Sequence, residues 1–120
     1  MKNLIIAIAL IASNIVITPS IFAQDKKDIT TTTIHVDGVC GACKKRIENA
    51  AYINGVKSAE WNKTTNELTI TFKPSKTTIE AISENIAKHG HDAGEAKATE
   101  KAYNSLPACC SYKNDNATKH

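Results

Sequence analysis

Four cysteines carry most of the chemistry open to this chain, and they come as two pairs, Cys40/Cys43 and Cys109/Cys110. The first pair sits in the run Val36-Asp37-Gly38-Val39-Cys40-Gly41-Ala42-Cys43-Lys44-Lys45-Arg46-Ile47, at the junction of a loop and a helix. A helical step of three returns to the same face, so the two sulfurs can converge on one ion. The first turn of a helix also offers unpaired backbone N–H groups and the positive end of its dipole. Both favour thiolate over thiol, and the thiolate is the metal ligand. Lys44, Lys45 and Arg46 add to that bias, although the same cluster also reads as a solvated helix face or a docking face for an acidic partner. Two sulfurs without further ligands suit soft ions of low coordination, Cu(I) and, by the same softness, Hg(II). Zinc wants two more ligands, which only the second cysteine pair would supply.

Other readings of the same residues stay open. A C-x-x-C at a helix start is also the thioredoxin-type redox motif, which makes a thiol–disulfide oxidoreductase the alternative. Such sites normally carry an aromatic residue before the first cysteine and a facing proline loop. Here Val39 precedes Cys40, and after the leader the prolines are only Pro74 and Pro107. A purely structural thiol pair is a third reading. An even cysteine count in an exported chain suggests disulfides, but each pair closes a loop too short to restrict the unfolded chain much. A cross-link between the pairs is compatible with the sequence.

Cys109-Cys110 is a vicinal pair, which binds soft ions readily and makes a strained disulfide if oxidised. Leu106-Pro107 can turn the tail back toward the body of the protein. The expectation is that this extension folds toward Cys40/Cys43 and adds thiolates, making a three- or four-sulfur site. An independent second site, an intermolecular link and a disulfide to the first pair are the alternatives.

The elements that position these residues begin after a leader. Met1-Lys2-Asn3 starts positive, Leu4 to Ile17 is apolar apart from Ser13 and Asn14, and the segment to Ala23 ends on a small residue. That order is a secretory signal peptide, with cleavage expected between Ala23 and Gln24. The apolar run is shorter than the roughly 20 residues of a membrane span. The mature chain is therefore expected to be periplasmic or secreted, without membrane insertion. Residues 24–120 suffice for one domain. The whole chain has a formal charge of +3 spread along its length. It lacks the clustered cations and aromatic platforms of a nucleic-acid-binding surface.

Within the mature part, Ile29 to Val36 reads as a strand with Thr30, Thr32, Ile34 and Val36 on one side. A helix from Gly41 or Ala42 to about Tyr52 carries Ile47, Ala50 and Ala51 on its apolar stripe, and Asn54-Gly55 ends it. Val56 to Trp61 is a second strand with an irregularity expected near Ser58. Glu67 to Lys73 is the clearest strand, with Leu68, Ile70 and Phe72 facing one way. Thr77 and Glu80 have the spacing of a capping box before a helix buried through Ile79, Ile82 and Ile86. Gly90 closes that helix. Asp92 to Ala98 reads as a short last strand of weak strand formers, and Ala102-Tyr103 with Leu106 as one helical turn. The order gives an α+β fold, a ferredoxin-like βαββαβ two-layer sandwich at 24–98 with a C-terminal extension at 99–120.

From about Thr30 to Ala93 the chain resembles the heavy-metal-associated domain family: small metallochaperones, soluble domains of copper-exporting ATPases and the periplasmic mercury-binding protein. The likeness rests on the cysteine pair at the helix start, Asn54-Gly55-Val56, the Leu68-Ile70-Phe72 strand and His89-Gly90-His91-Asp92-Ala93. It implies a βαββαβ fold, Cys40 and Cys43 as ligands, and a non-enzymatic carrier or scavenger of a soft ion. It also implies a metal-transporting membrane protein or another thiol-bearing acceptor as partner. His91 stands where the family places a Lys, Tyr or His near the metal, and is a candidate third ligand beside Cys109 and Cys110. His35 and His89 read as surface residues. In one respect the sequence departs from the family: a Met usually lies buried beneath the metal loop, and Gly38 occupies its place here.

Overall fold

The computed structural model describes residues 28–114; the expected signal peptide at 1–23 and the end of the tail lie outside the described residues. Strand β1, Thr30–His35, is almost wholly Thr and Ile, side chains whose restricted χ1 suits a pleated surface. It pairs antiparallel with β3, Glu67–Phe72, so that Ile34 lies opposite Leu68 and Thr32 opposite Ile70 on the inner face. On the outer face the hydroxyls of Thr31 and Thr71 are 3.0 Å apart and those of Thr33 and Thr69 3.4 Å. Such cross-strand pairs contribute about 0.2–1 kcal/mol each. Strand β2, Val56–Asn62, takes the other edge of β3, giving the order β1-β3-β2. The expected irregularity is present as a register shift between Val56 and Ser58. Beyond it, both Ala59 and Trp61 are buried.

Two helices close the inner face. Helix α1, Gly41–Ala51, buries Cys43, Ile47, Ala50 and Ala51, a stripe of helical period. Helix α2, Ile79–Lys88, buries Ile82, Ser83, Ile86 and Ala87. The start of α2 falls one residue later than the capping-box reading. Thr78 is the N-cap, its Oγ1 accepting the Ala81 N–H at 3.1 Å. Thr77 is buried instead, its N–H donated to Lys73 O in the turn after Pro74 and its methyl against Gly55. Three residues on from Thr78 stands Ala81, so the reciprocal Thr77–Glu80 box does not form.

The last strand is also shorter than expected. Asp92 to Ala98 contributes only a bridge between Ala93 and Val36, flanked by Asp37 N–H to Asp92 O at 3.0 Å and Gly94 N–H to His35 O at 2.8 Å. Gly94 has φ +55 and turns the chain, so Ala93 and Ala96 bond each other and the ladder stops. The α+β sandwich is retained with its fourth strand reduced to one residue on the edge of β1.

The extension then packs back. Thr99 caps α3, Glu100–Asn104, by accepting the Ala102 N–H at 3.1 Å. Leu106 is buried over Gly90, where a Cβ would lie 2.8 Å from the Leu106 side chain. Pro107 leads into a single 3₁₀ turn, Ala108–Cys110. Trp61, Ile47, Leu68, Ile70, Ile82 and Ile86 are the largest fully buried side chains, each contributing about 1.5–3 kcal/mol by burial. Among the described residues, no helix is long and apolar enough to cross a membrane.

Candidate metal centre

Cys40 is the N-cap of α1, in extended conformation at φ −140 and ψ 173, and Cys43 lies in the first turn. Cys40 O accepts the Lys44 N–H at 3.1 Å, which closes that turn. The geometry places the Cys40 and Cys43 sulfurs 3.2 Å apart. The 3₁₀ turn of the extension brings a third sulfur to them: Cys110 Sγ is 3.4 Å from Cys40 Sγ. All three Sγ atoms lie within 4.8 Å of one another. Cys40 is 4% exposed, and Cys43 and Cys110 are fully buried. Cys109 is exposed, its Sγ 3.9 Å from that of Cys110. All four are free thiols.

The sulfurs are not equivalent. Burial works against a Cys40 thiolate, but hydrogen bonds outweigh it, chiefly from the Cys43 thiol and backbone N–H and then from the Cys110 thiol. Its pKa is pulled from 9.0 to about 7. Burial pushes the Cys43 thiol up, helped by the bond it gives Cys40. The Cys110 thiol is pushed up strongly by burial and by its bonds to Cys43 and Cys40. One sulfur is thus disposed to be thiolate, with two thiols donating toward it. The basic cluster does not supply this asymmetry. Lys44 Nζ is turned to Glu48, at 2.7 Å, and to the Trp61 carbonyl, at 2.9 Å.

Trp61 anchors the loop. Its Nε1 donates to the Val36 carbonyl at 2.9 Å, and the indole is 1% exposed. A Cβ built on Gly38 would lie 2.9 Å from Trp61 Cζ2 and 3.1 Å from Cys43 Cβ. The indole therefore lies against Gly38, the position at which the family's Met was found missing. Sequence reasoning missed this role, although one signal was present: the only Trp of the chain lies on a strand expected to face the core.

His91 is placed differently from the expectation. It is fully buried and is not among the side chains whose donor atoms converge with the sulfurs. Its Nδ1 lies 2.7 Å from the Asp37 carbonyl, and its ring stacks on Tyr112 with centroids 5.4 Å apart. Burial, then the nearby Arg46 charge, lowers its pKa against the pull of the Asp37 carbonyl. The Tyr112 hydroxyl donates to Gly90 O at 2.8 Å and accepts the Asp92 N–H at 3.0 Å. The segment expected to hold a ligand near the metal instead forms the seat of the extension. Nothing in the sequence singled out Tyr112. His35 and His89 are exposed, as read, with His35 Nε2 2.7 Å from Asp37 Oδ1.

Known proteins share this layout. Residues 33–92 match the model of the heavy-metal-associated domain. The copper chaperone CopZ of Staphylococcus epidermidis is 38% identical over 66 residues, covering 53% of this chain and 97% of that protein. A copper-exporting P-type ATPase of Staphylococcus saprophyticus is 39% identical over 69 residues, 56% of this chain but only 9% of the ATPase. The crystal structure of oxidised MerP from Ralstonia metallidurans superposes with a TM-score of 0.52 at 25% identity, covering 55% of this chain and 94% of that one. With half its length matched and its cysteine pair inside the match, the chain belongs to the heavy-metal-associated domain family.

Proposed function

We propose that this protein is a non-enzymatic carrier or scavenger of a soft metal ion, held by the thiolates of Cys40 and Cys43. The observation that carries the reading is the approach of their sulfurs to 3.2 Å at the start of α1, within the family segment. Thiolate pairs at a helix N-terminus select soft ions. The copper names of two relatives favour Cu(I); Hg(II) follows from the same softness. The partner is a metal-transporting membrane protein or another thiol-bearing acceptor. The N-terminal segment supports export, with cleavage between Ala23 and Gln24, so the mature protein acts in a periplasm or beyond.

Transfer proceeds by ligand exchange: a thiolate of the acceptor bonds the ion as Cys40 or Cys43 leaves it. The test mixes the Cu(I)-loaded protein with increasing concentrations of a dithiol acceptor and follows copper release. A rate that rises in proportion to acceptor is expected. A rate independent of acceptor would mean that the ion dissociates freely and no handover takes place. The oxidoreductase alternative instead requires turnover of a disulfide substrate by metal-free protein.

A further inference from the structure

We propose that Cys110, brought in by the C-terminal extension, is the third ligand of that ion, so the site grips its cargo with three sulfurs rather than two or four. This rests on the reading of Cys40 and Cys43 as the metal-binding pair. Cys110 lies 70 residues beyond Cys40 and outside the family segment at 33–92. The family pattern therefore does not account for its position. Yet its Sγ is 3.4 Å from Cys40 Sγ and part of the one group of sulfurs that converge within 4.8 Å among the described residues. A buried free cysteine often serves as a small hydrophobe. This one faces two other sulfurs.

The extension is fastened on both sides of that residue. Before it, Leu106 is buried against Gly90. After it, Tyr112 stacks on His91 and bonds Gly90 O and the Asp92 N–H through its hydroxyl. Between these anchors, Cys110 N–H donates to Pro107 O at 2.8 Å and fixes the 3₁₀ turn. The third donor is therefore in place before the ion arrives, and little ordering remains to be done on binding. Cys109 is exposed and stands outside the converging group, as does His91. Three soft donors suit a low-coordinate thiophilic ion. Zinc's usual four-ligand set is not completed by these side chains.

The test loads the full-length chain with Cu(I) under a phosphine reductant and counts sulfur neighbours by X-ray absorption at the copper edge. Three sulfurs are expected in the unaltered protein, one fewer in Cys110→Ser, and no change in Cys109→Ser. A count of two in the unaltered protein overturns the proposal, as does an unchanged count in Cys110→Ser or a lower one in Cys109→Ser. Should Cys110→Ser lose the near-ultraviolet signal of the packed tyrosines, Cys110→Ala and the count in the unaltered protein decide. The Cys40→Ser/Cys43→Ser double variant is the separate control: retained Cu(I) binding there defeats the underlying reading, whereas its loss beside a two-sulfur count defeats only the role of Cys110.

Discussion

Replacing Gly38 by alanine tests whether the metal loop is held by the indole of Trp61. The added methyl would sit 2.9 Å from Cζ2, 3.0 Å from Cη2 and 3.1 Å from Cys43 Cβ. Carbon atoms prefer about 3.5–4.0 Å, so it would be roughly half an ångström too close to a rigid ring. That ring cannot swing away freely, because its Nε1 is bonded to Val36 O and its surface is buried. Overpacking of this kind costs about 1–3 kcal/mol. Taking ~2 kcal/mol, thermal unfolding should shift down by roughly 8–16 °C for a domain of this size. The same push falls on Cys43, so Cu(I) affinity should fall as well. Trp61→Phe removes the offending ring carbons. In that background Gly38→Ala should cost less than alone, a coupling of about 0.5–3 kcal/mol in a double-mutant cycle. The assay is circular dichroism melting of the four proteins. A Gly38→Ala melting point within a degree or two of the parent, or strictly additive losses, would refute this account of the loop.

Four further outcomes are expected. Because Cys40 is pulled to about 7 while Cys43 and Cys110 are pushed above the ordinary 9.0, its alkylation by iodoacetamide should level off just above pH 7. That of the other two should still climb at pH 9; a common profile in peptide-mapped mass spectra would contradict the asymmetry. Cys43→Ala should move the Cys40 profile toward higher pH, since it removes a thiol donor. Tyr112→Phe loses the bonds to Gly90 and Asp92, so it should destabilise the seat of the extension by about 1–3 kcal/mol and speed alkylation of Cys110 without unfolding the sheet. Thr78→Ala should cost about 1 kcal/mol as a lost N-cap, read as a lower melting point, and unchanged stability would return the cap to Thr77.

The legible part of the sequence was that governed by local rules. Alternation in Leu68-Ile70-Phe72 and the 3.6-residue spacing of Ile82 and Ile86 fixed which faces are buried, and the broken alternation of Val56, Ala59 and Trp61 foretold the register shift. Where two local signals competed, the outcome depended on packing. Thr77 and Thr78 can both cap a helix, and Thr77 was taken by its contact with Gly55. The last strand failed because Gly94 turned the chain after a single bridge. Nonlocal partners left the weakest trace. Cys40 and Cys43 stood out by their spacing, and the tail was expected to reach them. The sequence did not say which of Cys109, Cys110 and His91 would arrive. That choice is made by Tyr112 and Leu106 docking on the segment around Gly90 and His91, a contact between residues with no shared periodicity.

Competition for Cu(I) between this protein and a chromophoric chelator, with and without Cys40→Ser/Cys43→Ser, addresses the central claim most directly. The account predicts that the unaltered protein withdraws one equivalent of copper from the chelator and that the double variant withdraws almost none. Equal withdrawal by both proteins would contradict it.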